Sequence, residues 1–196
     1  MHPKDVKLVE SNYDIWRDTV WINHVNKKFF VPIWRNGSTT FTKNIAEKHG
    51  YVLEKLRDPS YEGYAFIRDP VLRIKGQLSV TSRLQNMTIN EILESMKNPI
   101  TNKSNLESFK HNLDPHLRTQ CSFLEGYNIK YYRNLDNLKH TGDPHIDSVI
   151  DSMMIKELRA NPNPGQDLKF LILRQDWELM EEIYKEDHIL FKEKIR

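Results

Sequence analysis

An apolar run, Phe29 to Ile33, stops at a short polar loop, Arg35-Asn36-Gly37-Ser38-Thr39-Thr40, and a helix-compatible stretch with Phe41, Ile45 and Ala46 on one face follows. No other stretch constrains the fold as much. Strand, tight loop and helix in that order point backbone N–H groups and the positive end of a helix dipole at a bound anion. Gly37 lets the backbone approach the anion closely, Ser38, Thr39 and Thr40 add hydroxyl donors, and Arg35 adds a permanent charge. The loop is not a Walker A motif, which needs two glycines and a Gly-Lys-Ser/Thr ending.

The rest of the chain extends this pattern. Residues 28–33 read as a buried strand and 39–49 as a helix closed by Gly50. Tyr51-Val52-Leu53 and Tyr64-Ala65-Phe66-Ile67 read as strands, and 71–84 has roughly helical spacing. Thr88-Ile89-Asn90-Glu91 is a capping box that opens a helix to about Lys97. Residues 98–120 read as a polar surface segment and Tyr127 to Arg133 as a strand. Asp143-Pro144 pairs an N-cap with proline at N1, starting a helix to about Ala160 whose apolar face includes Ile146, Val149, Ile150, Met153, Met154 and Leu158. A last helix from about Asp176 is expected to bury Leu179 and Ile183, with Ile189 and Leu190. Residues 1–27 read as an arm lying on the domain. Strands alternating with helices predict an α/β chain with a central, mainly parallel sheet flanked by helices, and a site at the carboxyl ends of the strands.

A second strand exit bears on that site. Phe66-Ile67-Arg68-Asp69-Pro70 places an arginine where another strand leaves the sheet, on the same edge as the Arg35 loop if the two strands are parallel. Two arginine-bearing exits suit a ligand with two separated anionic groups. The plainer reading makes Arg68-Asp69-Pro70 a helix start with a surface arginine. Arg57-Asp58-Pro59 repeats the same three residues after a charged stretch and receives no site role.

Composition sets the limits. The 196 residues read most simply as one domain, and a formal net charge of +2 gives no case for general nucleic-acid binding. Cys121 is the only cysteine, which excludes an intrachain disulfide and a cysteine-only metal site, and the histidines show no paired metal spacing. Without an apolar leader or a run of about 18 apolar residues, the expectation is a soluble, cytoplasmic protein with no membrane partner.

Val31-Pro32 with Arg35-Asn36-Gly37-Ser38-Thr39-Thr40-Phe41, and Phe66-Ile67-Arg68-Asp69-Pro70-Val71-Leu72-Arg73, together resemble the two cofactor motifs of the PAPS-dependent sulfotransferases, closest to the carbohydrate (Golgi-type) family. Asp114-Pro115-His116, the Tyr127–Leu138 strand ending in Asp136-Asn137-Leu138, and Tyr184 to Phe191 are similar to further family segments in the family's order, so the likeness spans roughly residues 28–192. It implies a P-loop-like three-layer domain that binds 3′-phosphoadenosine 5′-phosphosulfate (PAPS), with the first loop on the 5′-phosphosulfate and Arg68 on the 3′-phosphate. Sulfuryl transfer to a hydroxyl, expected on a saccharide, would release adenosine 3′,5′-bisphosphate. On this likeness the catalytic residues are Arg35 and His116, and the cofactor-binding residues are Arg35, Asn36, Gly37, Ser38, Thr39, Thr40, Arg68 and Gly76, with no metal.

Two departures stand out: Arg35 where many members carry Lys, and Gly76 where the family usually has Ser. Arginine can stabilise charge on the departing phosphate but cannot hand over a proton. His116 is the candidate base, because a free imidazole titrates near pH ~6.5; a histidine hydrogen-bonded inside a polar loop is the alternative, with His111 and Asp114 as other bases. Without an anchor the enzyme would be a soluble bacterial or viral form. A P-loop-like nucleotide kinase and a non-catalytic nucleotide-binding module remain open.

Overall fold

The computed structural model describes residues 19–97, 117–155 and 174–195. In chain order they form β1 (Val20–Asn23), β2 (Lys28–Phe30), α1 (Ser38–Thr40), a π-helical turn (Phe41–Ile45), a 3₁₀ turn (Glu47–His49), β3 (Val52–Glu54), β4 (Glu62–Ile67), α2 (Pro70–Gln85), α3 (Ile89–Lys97), α4 (Gln120–Leu124), β5 (Ile129–Asn134), α5 (Pro144–Met154), α6 (Arg174–Ile183) and α7 (Lys185–Lys194). The chain divides into two compact units, one running to Arg68 and resuming at Ser122, the other taking Asp69–Cys121 and Asn163–Lys194.

The first unit holds the α/β sheet, five strands in the order β3-β1-β2-β4-β5 flanked by helices. β2, β4 and β5 are parallel, so their carboxyl ends leave on one edge. β1 is antiparallel to both β2 and β3, so the sheet is mixed rather than mainly parallel. The physical reason is the short turn at residues 24–27, which can close a hairpin but cannot carry the crossover that parallel strands require. Lys27 takes the positive φ of 51° that this turn needs. The expected arm therefore contributes a sheet strand from Val20 onward, and residues 1–18 lie outside the described residues.

Phe30, Phe41, Tyr64 and Phe66 form the centre of this core, with Phe30 ring centroids 4.1, 5.2 and 5.4 Å from the other three. α5 covers the cluster with Ile146, Val149, Ile150 and Met153 as its spacing predicts, whereas Met154, expected on the same face, is exposed. Each such buried side chain contributes about 1.5–3 kcal/mol by leaving water. α5 starts as expected, Asp143 accepting hydrogen bonds from His145 and Ile146 N–H with Pro144 behind it. It stops at Met154 rather than near Ala160, because Ile155 is already extended and its side chain exposed; Leu158 lies outside the described residues. Gly50 closes the first helical segment at φ 69°, the conformation glycine adopts at least cost.

The second unit packs α2, α3, α6 and α7 around Ile74, Leu78, Ile92, Leu93, Leu117, Met180 and Tyr184. The capping box forms as the sequence predicts: Glu91 accepts from Thr88 N–H at 2.7 Å and Thr88 Oγ1 accepts from Glu91 N–H at 3.2 Å. The buried Asp187 carboxylate accepts from Gln120 N–H (2.7 Å) and Cys121 N–H (2.9 Å). Burial, reinforced by Asp187, pushes the Cys121 thiol up to about 12, so this cysteine is not a reactive thiolate at neutral pH. The expected last helix is two, α6 and α7, and Ile189 is exposed rather than buried. No helix among the described residues is long and apolar enough to cross a membrane.

Candidate functional site

The carboxyl edge of the parallel strands carries the candidate site. After β2 the backbone turns at Ile33, where Asn36 N–H bonds to Ile33 O at 3.0 Å, and Arg35 and Gly37 both take positive φ, 69° and 76°. The second is natural for glycine. The first costs a non-glycine residue on the order of 1 kcal/mol, and such strain persists only where its surroundings enforce it. A Cβ at Gly37 would lie 2.7 Å from Met153 Cε and 3.2 Å from Leu135 Cδ1, the far ends of two flexible side chains that can shift, so the φ rather than space is what favours glycine.

α1 then begins, and the N–H groups at its start are those a helix leaves without an internal carbonyl. Ser38 is half-buried, Thr39 exposed and Thr40 buried. The following turn is π-helical, with Ala46 N–H bonding five residues back to Phe41 O at 2.8 Å. It anchors the loop by placing Phe41 in the aromatic core.

The neighbouring exit, at the end of β4, carries Arg68. Asn36 joins the two exits: its side chain is fully buried and Nδ2 donates to Phe66 O at 2.8 Å. Asn36, expected at the cofactor, thus has a backbone-bracing role. Arg68 meets Asp136, its Nε and Nη2 donating to Oδ2 and Oδ1 at 3.0 and 2.7 Å. Asp69 caps α2, accepting from Val71 and Leu72 N–H at 2.9 and 3.1 Å. The helix-start reading is therefore correct for Asp69-Pro70, while Arg68 turns to a third strand exit. Sequence reasoning gave Asp136 no site role. The signal was present in the Asp136-Asn137-Leu138 turn, but only the β4–β5 register (Ile67 opposite Asn134) brings it to Arg68.

Gly76 belongs to the second unit and is the seventh residue of α2, beyond the first turn whose N–H groups stand open. At that position an N–H falls within the run of intrahelical hydrogen bonds. Arg73 is buried, with Nη1 donating to Arg118 O at 2.7 Å. His116, His111 and Asp114 lie outside the described residues.

A different network links Tyr64 of β4 and the segment around His49 and Tyr51 to α5. Tyr64 Oη donates to Tyr51 Oη at 2.8 Å, Tyr51 Oη lies 2.8 Å from His145 Nε2, and His49 Nε2 lies 2.9 Å from Ser152 Oγ. Beside it, burial opposes the charge on Lys28, but Asp143 and Glu62 outweigh burial and raise its pKa. Burial lowers both imidazoles below the usual 6.5, His49 further through His145 and Lys48; for His145, Asp143 opposes the shift and Lys28 adds to it.

Groups with a depressed folded pKa stabilise the fold above pH ~6.5, and that stability is lost as pH falls through the unfolded value toward the folded one. The melting temperature should therefore drop between pH 7.5 and 5.5. His49→Gln with His145→Gln should flatten the profile; an unchanged slope would remove these two histidines as its origin. The exposed His140–Asp151 pair has a raised histidine pKa and works in the opposite direction.

Comparison with family models, with curated proteins and with solved structures finds no match to this chain.

Proposed function

We propose that the chain is a PAPS-dependent sulfotransferase acting on a hydroxyl, most simply of a saccharide, with a P-loop-like three-layer domain and a cytoplasmic setting. The observation that carries this reading is the adjacency of two basic strand exits on one sheet edge, the strained Arg35–Thr40 loop and Arg68, tied by Asn36 to Phe66 O at 2.8 Å. Gly37, at a φ natural for glycine, and the helix start after it suit a phosphate-sized anion. Arg68, a permanent charge that Asp136 holds in place on the neighbouring exit, suits a second one.

PAPS, when bound, supplies the activated sulfuryl group. The Gly37–Thr40 N–H groups and hydroxyls would hold the 5′ end, and Arg68 the 3′-phosphate. Arg35 would offset the negative charge that develops on the departing phosphate, which needs charge stabilisation more than a proton. His116 would take the proton from the acceptor hydroxyl. Permanent positive groups and in-line placement supply most of what such a transfer requires, so the reading calls on no metal.

A calorimetric titration of adenosine 3′,5′-bisphosphate against AMP and ATP tests it. Strong preference for the bisphosphate is expected, lost in Arg68→Ala and weakened in Ser38→Ala. Equal binding of all three would overturn the reading. Tight bisphosphate binding with no transfer to a broad acceptor panel would instead favour a non-catalytic module.

A further inference from the structure

We propose that Asp136 is a positioning residue for Arg68, and that it sets the selectivity for a ligand's second phosphate; this rests on the reading of Arg68 as a phosphate ligand. The carboxylate takes Arg68 Nε–H and one Nη2–H side-on, at 3.0 and 2.7 Å. A guanidinium held in this way has one fixed plane, whereas an unrestrained arginine samples many rotamers and must be ordered on binding.

Stability does not account for the pair. Arg68 and Asp136 side chains keep 21% and 36% of their exposure, and ion pairs that wet contribute little to folding. Nor does the turn need the carboxylate for its own conformation. Leu135 N–H bonds to Ile67 O at 2.9 Å, Asp136 N–H to Asn134 Oδ1 at 3.0 Å and Asn137 N–H to Asn134 O at 3.1 Å. The backbone stitches the β5 exit to the β4 exit by itself, and Leu135 extends from the same turn toward Gly37, where an added Cβ would lie 3.2 Å from its Cδ1. One turn thus touches both halves of the candidate site, and its single acidic side chain is aimed at the arginine.

Two effects of removing the carboxylate oppose each other. Losing a negative charge favours any anion, while losing the fixed plane disfavours the anion that Arg68 must meet in one orientation. Asp136→Ala should therefore leave AMP affinity level or raised and lower bisphosphate affinity, so that the selectivity ratio falls ~10-fold.

The test is a titration of wild type, Asp136→Ala, Asp136→Glu, Arg68→Ala and the Arg68→Ala/Asp136→Ala double variant with adenosine 3′,5′-bisphosphate, AMP and inorganic phosphate. The ratio should fall in Asp136→Ala, recover partly in Asp136→Glu, and show no further loss when Asp136→Ala is added to Arg68→Ala. An unchanged or increased ratio in Asp136→Ala, or an equal fall in the Arg68→Ala background, would overturn the proposal. Should wild type lack any preference for the bisphosphate, the nucleotide reading fails separately. Phosphate binding that Arg68→Ala abolishes and Asp136→Ala weakens would still uphold the positioning role, and phosphate binding indifferent to both substitutions would overturn it.

Discussion

On the sulfotransferase reading, Arg35→Gly should lower sulfuryl transfer about 10²–10³-fold while changing stability by only about 1 kcal/mol. The two effects come from different parts of one residue. The backbone of Arg35 sits at φ 69°, which glycine adopts without the steric penalty that an L side chain incurs. Against that gain stands the extra freedom glycine has when unfolded, so the net change is small. The guanidinium, by contrast, is the one permanent charge inside the proposed anion loop, residues 35–40. A donor or charge directed at a developing anion is worth about 10²–10³ in rate when removed.

Arg35→Lys restores the residue that many members of the resembled family carry, and should recover most of the transfer. His116→Ala gives the contrasting pattern, with transfer lost and bisphosphate affinity kept. Melting curves alongside a transfer assay with labelled PAPS distinguish these outcomes. An Arg35→Gly protein that melts well below wild type would show that the side chain is structural. One that transfers normally would remove Arg35 from the chemistry.

Local rules made much of this architecture readable. Asp143-Pro144, the Thr88–Glu91 box and Gly50 act within a few residues of themselves, and each forms where the sequence places it. The strand, tight turn and helix from Lys28 to Ile45 were legible for the same reason: a glycine between an apolar run and three hydroxyl residues marks a turn. What escaped depends on partners far along the chain. Val20–Asn23 is short, and it becomes a strand only because β2 and β3 pair on either side of it. The mixed sheet follows from that one insertion. Asp136 looked like an ordinary turn residue until strand register placed it against Arg68. The π turn at Phe41–Ile45 has no periodic signal, since its cause is the packing of Phe41 against Trp21, Phe30 and Tyr51.

Gly63 was equally silent, and it carries the largest stability prediction: Gly63→Ala should cost about 3 kcal/mol. The residue lies in β4 opposite Phe29 on one side and Ile129 on the other. A Cβ there would fall 2.4 Å from Phe29 Cζ, 2.7 Å from Phe29 Cε2 and 2.8 Å from Asn128 O. The phenyl ring is itself buried, so it can move only by disturbing the core. The carbonyl belongs to the backbone leading into β5, so relieving that contact strains the β4–β5 pairing, where the register already shifts between Gly63 and Tyr64.

Gly126→Ala supplies the contrast. Nothing lies within 4 Å of its added Cβ, and its cost comes only from a φ of 82°, on the order of 1 kcal/mol. Since about 1 kcal/mol shifts a domain of this size by roughly 2–4 °C, Gly63→Ala should melt about 6–12 °C below wild type and Gly126→Ala only a few degrees below. Phe29→Leu, which shortens the obstructing ring, should return part of the loss when combined with Gly63→Ala. Equal melting points for the two glycine variants, or no recovery in the double variant, would show that crowding at Phe29 is not what keeps glycine in this strand.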